Sequence, residues 1–557
     1  FYVRPEDINF YKKIRVPLPT LSPRERTRRK LAFTNAYNLF KVTSAFSGKS
    51  IIALYPPSTP YKIYEHKIWF GDEWDSMDYA VEYKDQKNFF EQYKELQHNV
   101  PRHNLYVDGT SVNCDYTNGA RRSKNCYFVF GAWQAEDSAY SIELRYSRNC
   151  YDCFTLDNSD TCYDCFESSD LYHCFFVEYS KHCLNSYLLF DCRNCDHCFG
   201  CTNLRNKKYY FFNKPLTKAA YEKKMRDLNL GSREVLSSLK NKFDALKKEA
   251  FYKENHNERA IESYGEYLKG TKHCDACFYS IEGQNLSYCT GGIKTRDSYD
   301  LVGGAGSESC YDSYGSIQSQ GIKFSQTVDA CRDMEYCDLC TNCHDCFGCI
   351  GLRNKSFCIF NKQYSEEEYW KIIDNIKTKM LRDGIYGEFF PPSLSPFPYN
   401  ISIATSYSGY DDIDVAERYG YRIENIEQDL TEVEGEVIDA QSLPDDIRDV
   451  SDDILGIHIF DRAHDRKFLI IKKELEFYRR YHIPLPYHHP SERLTEKRKK
   501  IGPLLFELHE RSCAKCNKAI QTPYPPRLAV DEVEGEAGAA DGPKNVYCEA
   551  CYQAEVV

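Results

Sequence analysis

Two hydrophobic patterns divide the chain. Between roughly residues 104 and 362, aromatic, β-branched and cysteine positions come in short runs broken by Asn, Asp, Gly and Ser. That composition and punctuation predict strands and turns. Elsewhere the period lengthens. "PLTKAAYEKKMRDLNLGSREVLSSLKNKFDALKKEAFYKE" and "QYSEEEYWKIIDNIKTKML" read as amphipathic helices, with Thr217 and Ser232 as N-caps and Ser365 and Glu368 at capping-box spacing.

The strand-and-turn region is repetitive. A dipeptide recurs at Asn113-Cys114, Asn125-Cys126, Ser138-Ala139, Asn149-Cys150, Thr161-Cys162, His173-Cys174, His182-Cys183 and Asn194-Cys195, at spacings of 12, 13, 11, 12, 12, 9 and 12. A second block keeps a similar interval through "SYDLVGG", "SCYDSYG" and "GIKFSQT". Both blocks end alike, in "FGCTNLRNKKYYFFNK" and "FGCIGLRNKSFCIFNK". A unit of about twelve residues is too short for a helical hairpin, and a fixed short period marks a repeat architecture. The expected fold is mainly β: two tandem short-coil β-solenoids, 104–214 and 266–362, capped by helical segments 215–265 and 363–385. Two short strands facing each other across such a coil leave room only for small side chains, so free cysteine suits the interior. Tyr127, Tyr151, Tyr163 and Phe175 are expected to point outward and stack from coil to coil.

Two cysteine runs strain this picture. Cys192, Cys195, Cys198 and Cys201 are spaced by three, as are Cys337, Cys340, Cys343, Cys346 and Cys349, and residues three apart on a strand face opposite sides. Either turns intervene, or four thiolates converge on a metal; Cys192, Cys195, Cys198, Cys201, Cys340, Cys343, Cys346 and Cys349 are therefore candidate second metal ligands.

A second duplication joins the two ends. "FYKKIRVPLPTLSPRER", from Phe10, matches "FYRRYHIPLPYHHPSER", from Phe477; "SAFSGKSIIALYPP" matches "CAKCNKAIQTPYPP", and "IYEHKIW" matches "VYCEACY". In the C-terminal copy, Cys513 and Cys516 form one CxxC and Cys548 and Cys551 another, the spacing of a zinc ribbon in which four thiolates hold Zn2+. Aligned with them in the N-terminal copy are Ser44, Ser47, Glu65 and Ile68, so that copy must replace metal binding with a core, for which Tyr55, Ile63, Tyr64 and Trp69 are candidates. Residues 1–75 are thus a ligand-free ribbon-like domain, 76–103 a helical linker, 386–455 an acidic linker and 456–557 the zinc-ribbon domain. "RLAVDEVEGEAGAADGPK", between the knuckles, reads as a mobile insertion.

Charge adds a second functional reading. The net charge is −11, yet Asp411 to Asp453 alone holds sixteen acidic and three basic residues. Lys12 to Lys30 and Arg479 to Lys500 are basic, with eight and seven Lys/Arg. In the second, Arg479, Arg480, Arg493, Lys497, Arg498, Lys499 and Lys500 are candidate nucleic-acid contacts; solvated helix faces are the plainer explanation. The 27 cysteines are odd in number, which excludes complete pairing within the chain and favours a reducing, cytoplasmic setting. No apolar run is long enough to span a bilayer. There is no phosphate loop, HExxH, GxSxG or dinucleotide fingerprint, and no small-molecule substrate is indicated, so catalysis is the least favoured class.

"GEFFPPSLSPFPYN", "FGCIGLRNKSFCIFNKQYSEEEY" and "ELEFYRRYHIPLPYHHPSER" with its two CxxC knuckles resemble large cysteine-rich, zinc-ribbon-containing proteins of unknown function from small-genome uncultivated bacteria. The resemblance spans almost the whole chain. It implies cysteine ligands in the N-terminal copy too, so that Ser44, Ser47, Glu65 and Ile68 represent a loss. The expected role is a non-enzymatic structural or interaction scaffold that binds protein partners or itself, with a structural zinc ribbon. The alternative is a zinc-ribbon protein associated with nucleic acid or the ribosome.

Overall fold

A computed structural model describes residues 1–426, 435–501, 505–526 and 542–556. Parts of the acidic segment (427–434) and most of the insertion between the knuckles (527–541) lie outside the described residues. Strands outweigh helices, and the large sheets are parallel and nearly closed. No described helix is long and apolar enough to cross a membrane. The chain forms two compact units that do not follow sequence order: residues 1–105 with 255–425 and 502–508, and residues 106–254 with 426–501 and 509–557. The N-terminal copy therefore belongs with the second repeat block, and the C-terminal copy with the first.

Within each block, residue i pairs in parallel with residue i+12, as in Cys162 with Cys174, Tyr187 with Phe199, Cys274 with Leu286 and Tyr299 with Tyr311. The long strands Ala139–Arg145 and Tyr172–Glu178 each pair through their two ends with different neighbours, which curls the sheet toward closure. Almost every third residue is left-handed: φ is 51° at Asn149, 53° at Asp152, 50° at Thr155, 47° at Asn158, 57° at Thr161 and 52° at Asp164. Each of these re-aims the chain. Residues three apart consequently point the same way, and a twelve-residue repeat has four short sides where the sequence suggested two facing strands.

This three-residue frame resolves the cysteine runs. Cys150, Cys153, Leu156, Ser159, Cys162 and Cys165 are successive inward positions, all buried. Every cysteine from Cys114 to Cys201 shares that phase, and every one from Cys274 to Cys358 shares a single phase of the second block. At Ser138-Ala139 it is Ser138 that occupies the inward position, one residue ahead of the place cysteine takes in the other dipeptides. All 27 cysteines are free. Inward thiols and hydroxyls have defined work: the Cys150 thiol donates to the carbonyl of Arg148 at 3.2 Å, and the Ser147 hydroxyl donates to Arg145 O at 2.8 Å while accepting the Ser159 amide at 3.2 Å. A left-handed L-residue costs about 1–2 kcal/mol, and Asn or Asp at these corners offsets part of it through ladders such as Asn113–Asn125–Asp137, bonded at 3.2 and 2.9 Å.

The shared block ending is a terminator. Phe212 and Asn213, like Phe360 and Asn361, are left-handed, and they reverse the last strand into an antiparallel pair, Tyr210–Phe211 with Lys214–Pro215 and Ser356–Ile359 with Lys362–Gln363. Such a reversal blunts the open sheet edge. A Cβ on Gly200 or Gly348 would lie 2.8 or 2.7 Å from the Phe212 or Phe360 ring, which explains the glycine of each "FGC". Helices then follow at the expected caps: Thr217, Ser232 and Ser365 accept from Ala220, Val235 and Glu368 amides. The stretch expected as an acidic linker begins as core instead. Phe389, Phe390, Leu394, Tyr399, Tyr410 and Tyr421 are buried in the first unit.

Candidate metal centre and docking contacts

The C-terminal copy builds its cluster from two short elements. Strands His509–Ser512 and Ala519–Thr522 pair antiparallel, and the turn between them carries Cys513 and Cys516. The left-handed Asn517 (φ 60°) and the bonds Cys513 N to Lys518 O (2.8 Å) and Asn517 N to Cys513 O (3.0 Å) fix that knuckle. The second knuckle starts at Cys548, after strand Val546–Tyr547, and places Cys551 in the first turn of helix Glu549–Val556. Ala514 N donates to Val546 O at 2.9 Å and ties the knuckles together.

The four sulfurs lie within 4.8 Å of one another, a group that could hold a metal ion. Cys516 and Cys548 are 3.7 Å apart, close to the ~3.8 Å edge of a tetrahedron with Zn–S bonds of about 2.3 Å. The Cys548 amide donates to the Cys513 sulfur at 3.3 Å, as it would to a thiolate. Burial acts against ionising Cys513, but backbone N–H groups of Cys516 and Cys548 draw it down to about 6. The Cys551 thiol, hydrogen-bonded to Cys516, is pushed up to about 12. Without a cation the cluster thus holds protons that a metal would displace. The donor set fits.

The N-terminal copy repeats the backbone and replaces the chemistry. Ser44 N bonds Lys49 O (2.8 Å), Gly48 N bonds Ser44 O (3.0 Å), Ala45 N bonds Ile63 O (2.8 Å) and Trp69 N bonds Glu65 O (2.8 Å). These match the C-terminal pattern bond for bond, with Tyr552 N to Cys548 O (2.9 Å) as the last counterpart. Where sulfurs would meet an ion, the Glu65 carboxylate accepts from the hydroxyls of Ser44 (2.6 Å) and Ser47. These bonds hold the Glu65 carboxyl below its usual range although burial opposes them. Tyr55, Ile63, Tyr64 and Trp69 are all buried, and Ile68 packs against the Tyr64, Trp69 and Leu339 cluster.

The two cysteine runs are not assembled in this manner. Cys192, Cys195, Cys198 and Cys201, and Cys340, Cys343, Cys346 and Cys349, are consecutive inward positions whose thiols donate to backbone carbonyls, Cys192 to Phe190 O at 3.6 Å and Cys340 to Asp338 O at 3.4 Å among them. Among the described residues no three of their sulfurs form a compact ligand group.

The basic runs turn out to be latches. In the first unit, helix Pro23–Ala32 lays buried Arg26 on Asp300 at 2.9 Å and Lys30 on Asp312 at 2.6 Å. In the second, helix Pro490–Ile501 lays Arg493 on Asp152 and Lys497 on Asp164, the latter at 2.6 Å. All four carboxylates are left-handed corner residues of the repeats. The flanking contacts are equivalent too. Tyr288 donates to Asp7 at 3.0 Å as Tyr140 does to Glu474 at 2.9 Å; Phe10 stacks on Tyr299 at 3.9 Å as Phe477 does on Tyr151 at 4.1 Å. Arg353 lies 4.9 Å over Trp69 as Arg205 lies 5.9 Å over Tyr552, which gives the arginine of each "LRNK" its role. The outward aromatics are therefore partly covered by the terminal copies.

Of the other candidate nucleic-acid contacts, Arg479 pairs with Asp452 at 2.5 Å and Lys500 with Glu178 at 3.2 Å. Arg480 sits over Tyr481, Arg498 bonds Thr495, and Lys499 is exposed. The five-residue frame of latch residues (Arg26, Lys30; Arg493, Lys497) at helical spacing was visible in "RERTRRK" and "RLTEK"; their acidic partners were hidden until the three-residue phase identified the corners.

No family model matches the chain, and no curated protein does. A solved structure described as an acetyltransferase from Desulfovibrio desulfuricans G20 is 8% identical over 50% of this chain and 80% of its own, with a TM-score of 0.10, too low to carry any argument.

Proposed function

We propose that the protein is a non-enzymatic structural scaffold: two β-solenoids, each closed by a terminal ribbon-type domain, with Zn2+ as the structural ion of the C-terminal ribbon at Cys513, Cys516, Cys548 and Cys551. The observation that carries this reading is the latch built twice from equivalent residues. It spends the buried charges of both terminal copies on assembly, and the inward thiols are spent on backbone carbonyls. Zinc is the ion suited to four tetrahedral thiolates with no open position. The scaffold's remaining faces are for protein partners or further copies of the chain.

The nucleic-acid alternative draws least support, since Arg493 and Lys497 are buried in ion pairs. Capture of partners by the intact protein at two salt concentrations, with and without nuclease, tests the choice. Partners retained under all four conditions support the scaffold. Loss with salt and nuclease overturns it, because phosphate contacts weaken steeply with ionic strength.

A further inference from the structure

The second unit holds another cluster of metal-ligating side chains, chemically unlike the first. Strand His458–Asp461 ends at a carboxylate that is 2% exposed. A tight turn follows, closed by His464 N donating to Asp461 O at 3.3 Å, with Asp465 left-handed at φ 52°. It brings His464 Nδ1 to 2.8 Å from one Asp461 oxygen. From the segment leading into helix Pro490–Ile501, His488 Nδ1 reaches the same carboxylate at 3.3 Å. The three ligand atoms lie within 4.8 Å of one another.

We infer that Asp461, His464 and His488 form a second metal site, for a divalent first-row transition ion. The spacing is close to what such an ion needs: cis ligands about 2.1 Å from it stand roughly 3.0–3.4 Å apart, and the Nδ1–oxygen distances are 2.8 Å for His464 and 3.3 Å for His488. The carboxylate is also fixed from behind. The His489 amide donates to Asp461 Oδ2 at 3.0 Å, the kind of outer support that orients a ligating group. Both histidines are partly exposed while Asp461 is buried, so the ion would meet protein on one side and keep solvent positions on the other. The nearby Arg466 guanidinium is answered by Glu492 at 2.9 Å and does not face the site as an uncompensated charge. Two imidazoles and one carboxylate select against the thiolate-seeking chemistry of the cysteine cluster and leave positions for water or an exogenous ligand. In the N-terminal copy Leu21 aligns with His488, so this ligand is not repeated there.

The test is Co2+ loading of the full metal-stripped chain, followed by native mass spectrometry and absorption spectra. Two Co2+ per chain are expected, one with intense thiolate-to-metal charge transfer and one without. H464Q/H488Q should lose one ion while the charge-transfer band stays, and D461N should weaken the same ion at least tenfold. C513S/C516S should lose the band and keep the other ion, a readout that stays informative if one variant disturbs its own surroundings. A single Co2+ per chain in the wild type that carries the charge-transfer band, or two ions retained in H464Q/H488Q, overturns the proposal.

Discussion

The two terminal copies solve one folding problem with different chemistry. Both form a knuckled hairpin and a second knuckle running into a helix, with the same four backbone hydrogen bonds. One gathers four sulfurs that could hold a cation; the other closes two serine hydroxyls around Glu65. A small ribbon normally depends on its ion for much of its folding energy. The N-terminal copy obtains the equivalent from Tyr55, Ile63, Tyr64 and Trp69. The lesson is that the knuckle backbone is separable from the metal, provided an apolar cluster and a satisfied polar centre stand in for it. The latches beneath the copies, by contrast, are kept residue for residue. A buried ion pair is weak as a source of net stability and strong as a selector of geometry; Arg26 with Asp300 and Arg493 with Asp152 would reject any seating that left one charge unpaired.

Metal removal should separate the copies most. Site energies of about 10–16 kcal/mol are seen for small zinc domains, so chelation or C513S/C548S should expose amides of 509–522 to hydrogen exchange and leave those of 40–53 protected. Equal loss in both copies would break the comparison. Next come the latches. R26M in the first unit and R493M in the second should each cost about 3–5 kcal/mol in denaturant unfolding, since each strands a buried carboxylate. A smaller effect is expected inside the repeats: Cys150→Leu overpacks an inward position at about 1–3 kcal/mol, whereas Cys150→Ser keeps a donor for Arg148 O and stays below about 1 kcal/mol. The smallest concerns Glu65. Its folded carboxyl titrates below the unfolded one, so its contribution is present above the ordinary carboxylate value and fades as pH falls through the lowered one. E65Q should flatten that acid limb of the N-terminal copy by less than about 1 kcal/mol, as Glu65 is partly solvated.

Much of this was legible in the chain. The repeat interval, the block ends, the helix caps and the Cys513/Cys516/Cys548/Cys551 set follow from spacing alone. The three-residue phase was legible as well, because every cysteine gap from Cys114 to Cys201 is a multiple of three. It was obscured by assuming extended strands, in which residues three apart diverge. What spacing could not supply was the left-handed conformation at Thr155, Thr161 or Phe176, residues that resist it, and the pairing of each terminal copy with the distant repeat block. That pairing depends on corner carboxylates whose exposure is invisible until the corners are known. The basic runs looked like free positive charge for the same reason.

The central claim is that the repeat thiols occupy a sealed interior and take no part in metal binding or cross-linking. Of the 23 cysteines from Cys114 to Cys358, all but Cys114 are buried. Time-resolved alkylation of the folded, metal-stripped protein, mapped by peptide mass spectrometry, tests this directly. Cys513, Cys516, Cys548 and Cys551 should label within minutes, while the buried repeat cysteines stay unmodified until the chain unfolds. Repeat cysteines that label alongside the C-terminal four, or that are recovered as disulfides, would contradict the account.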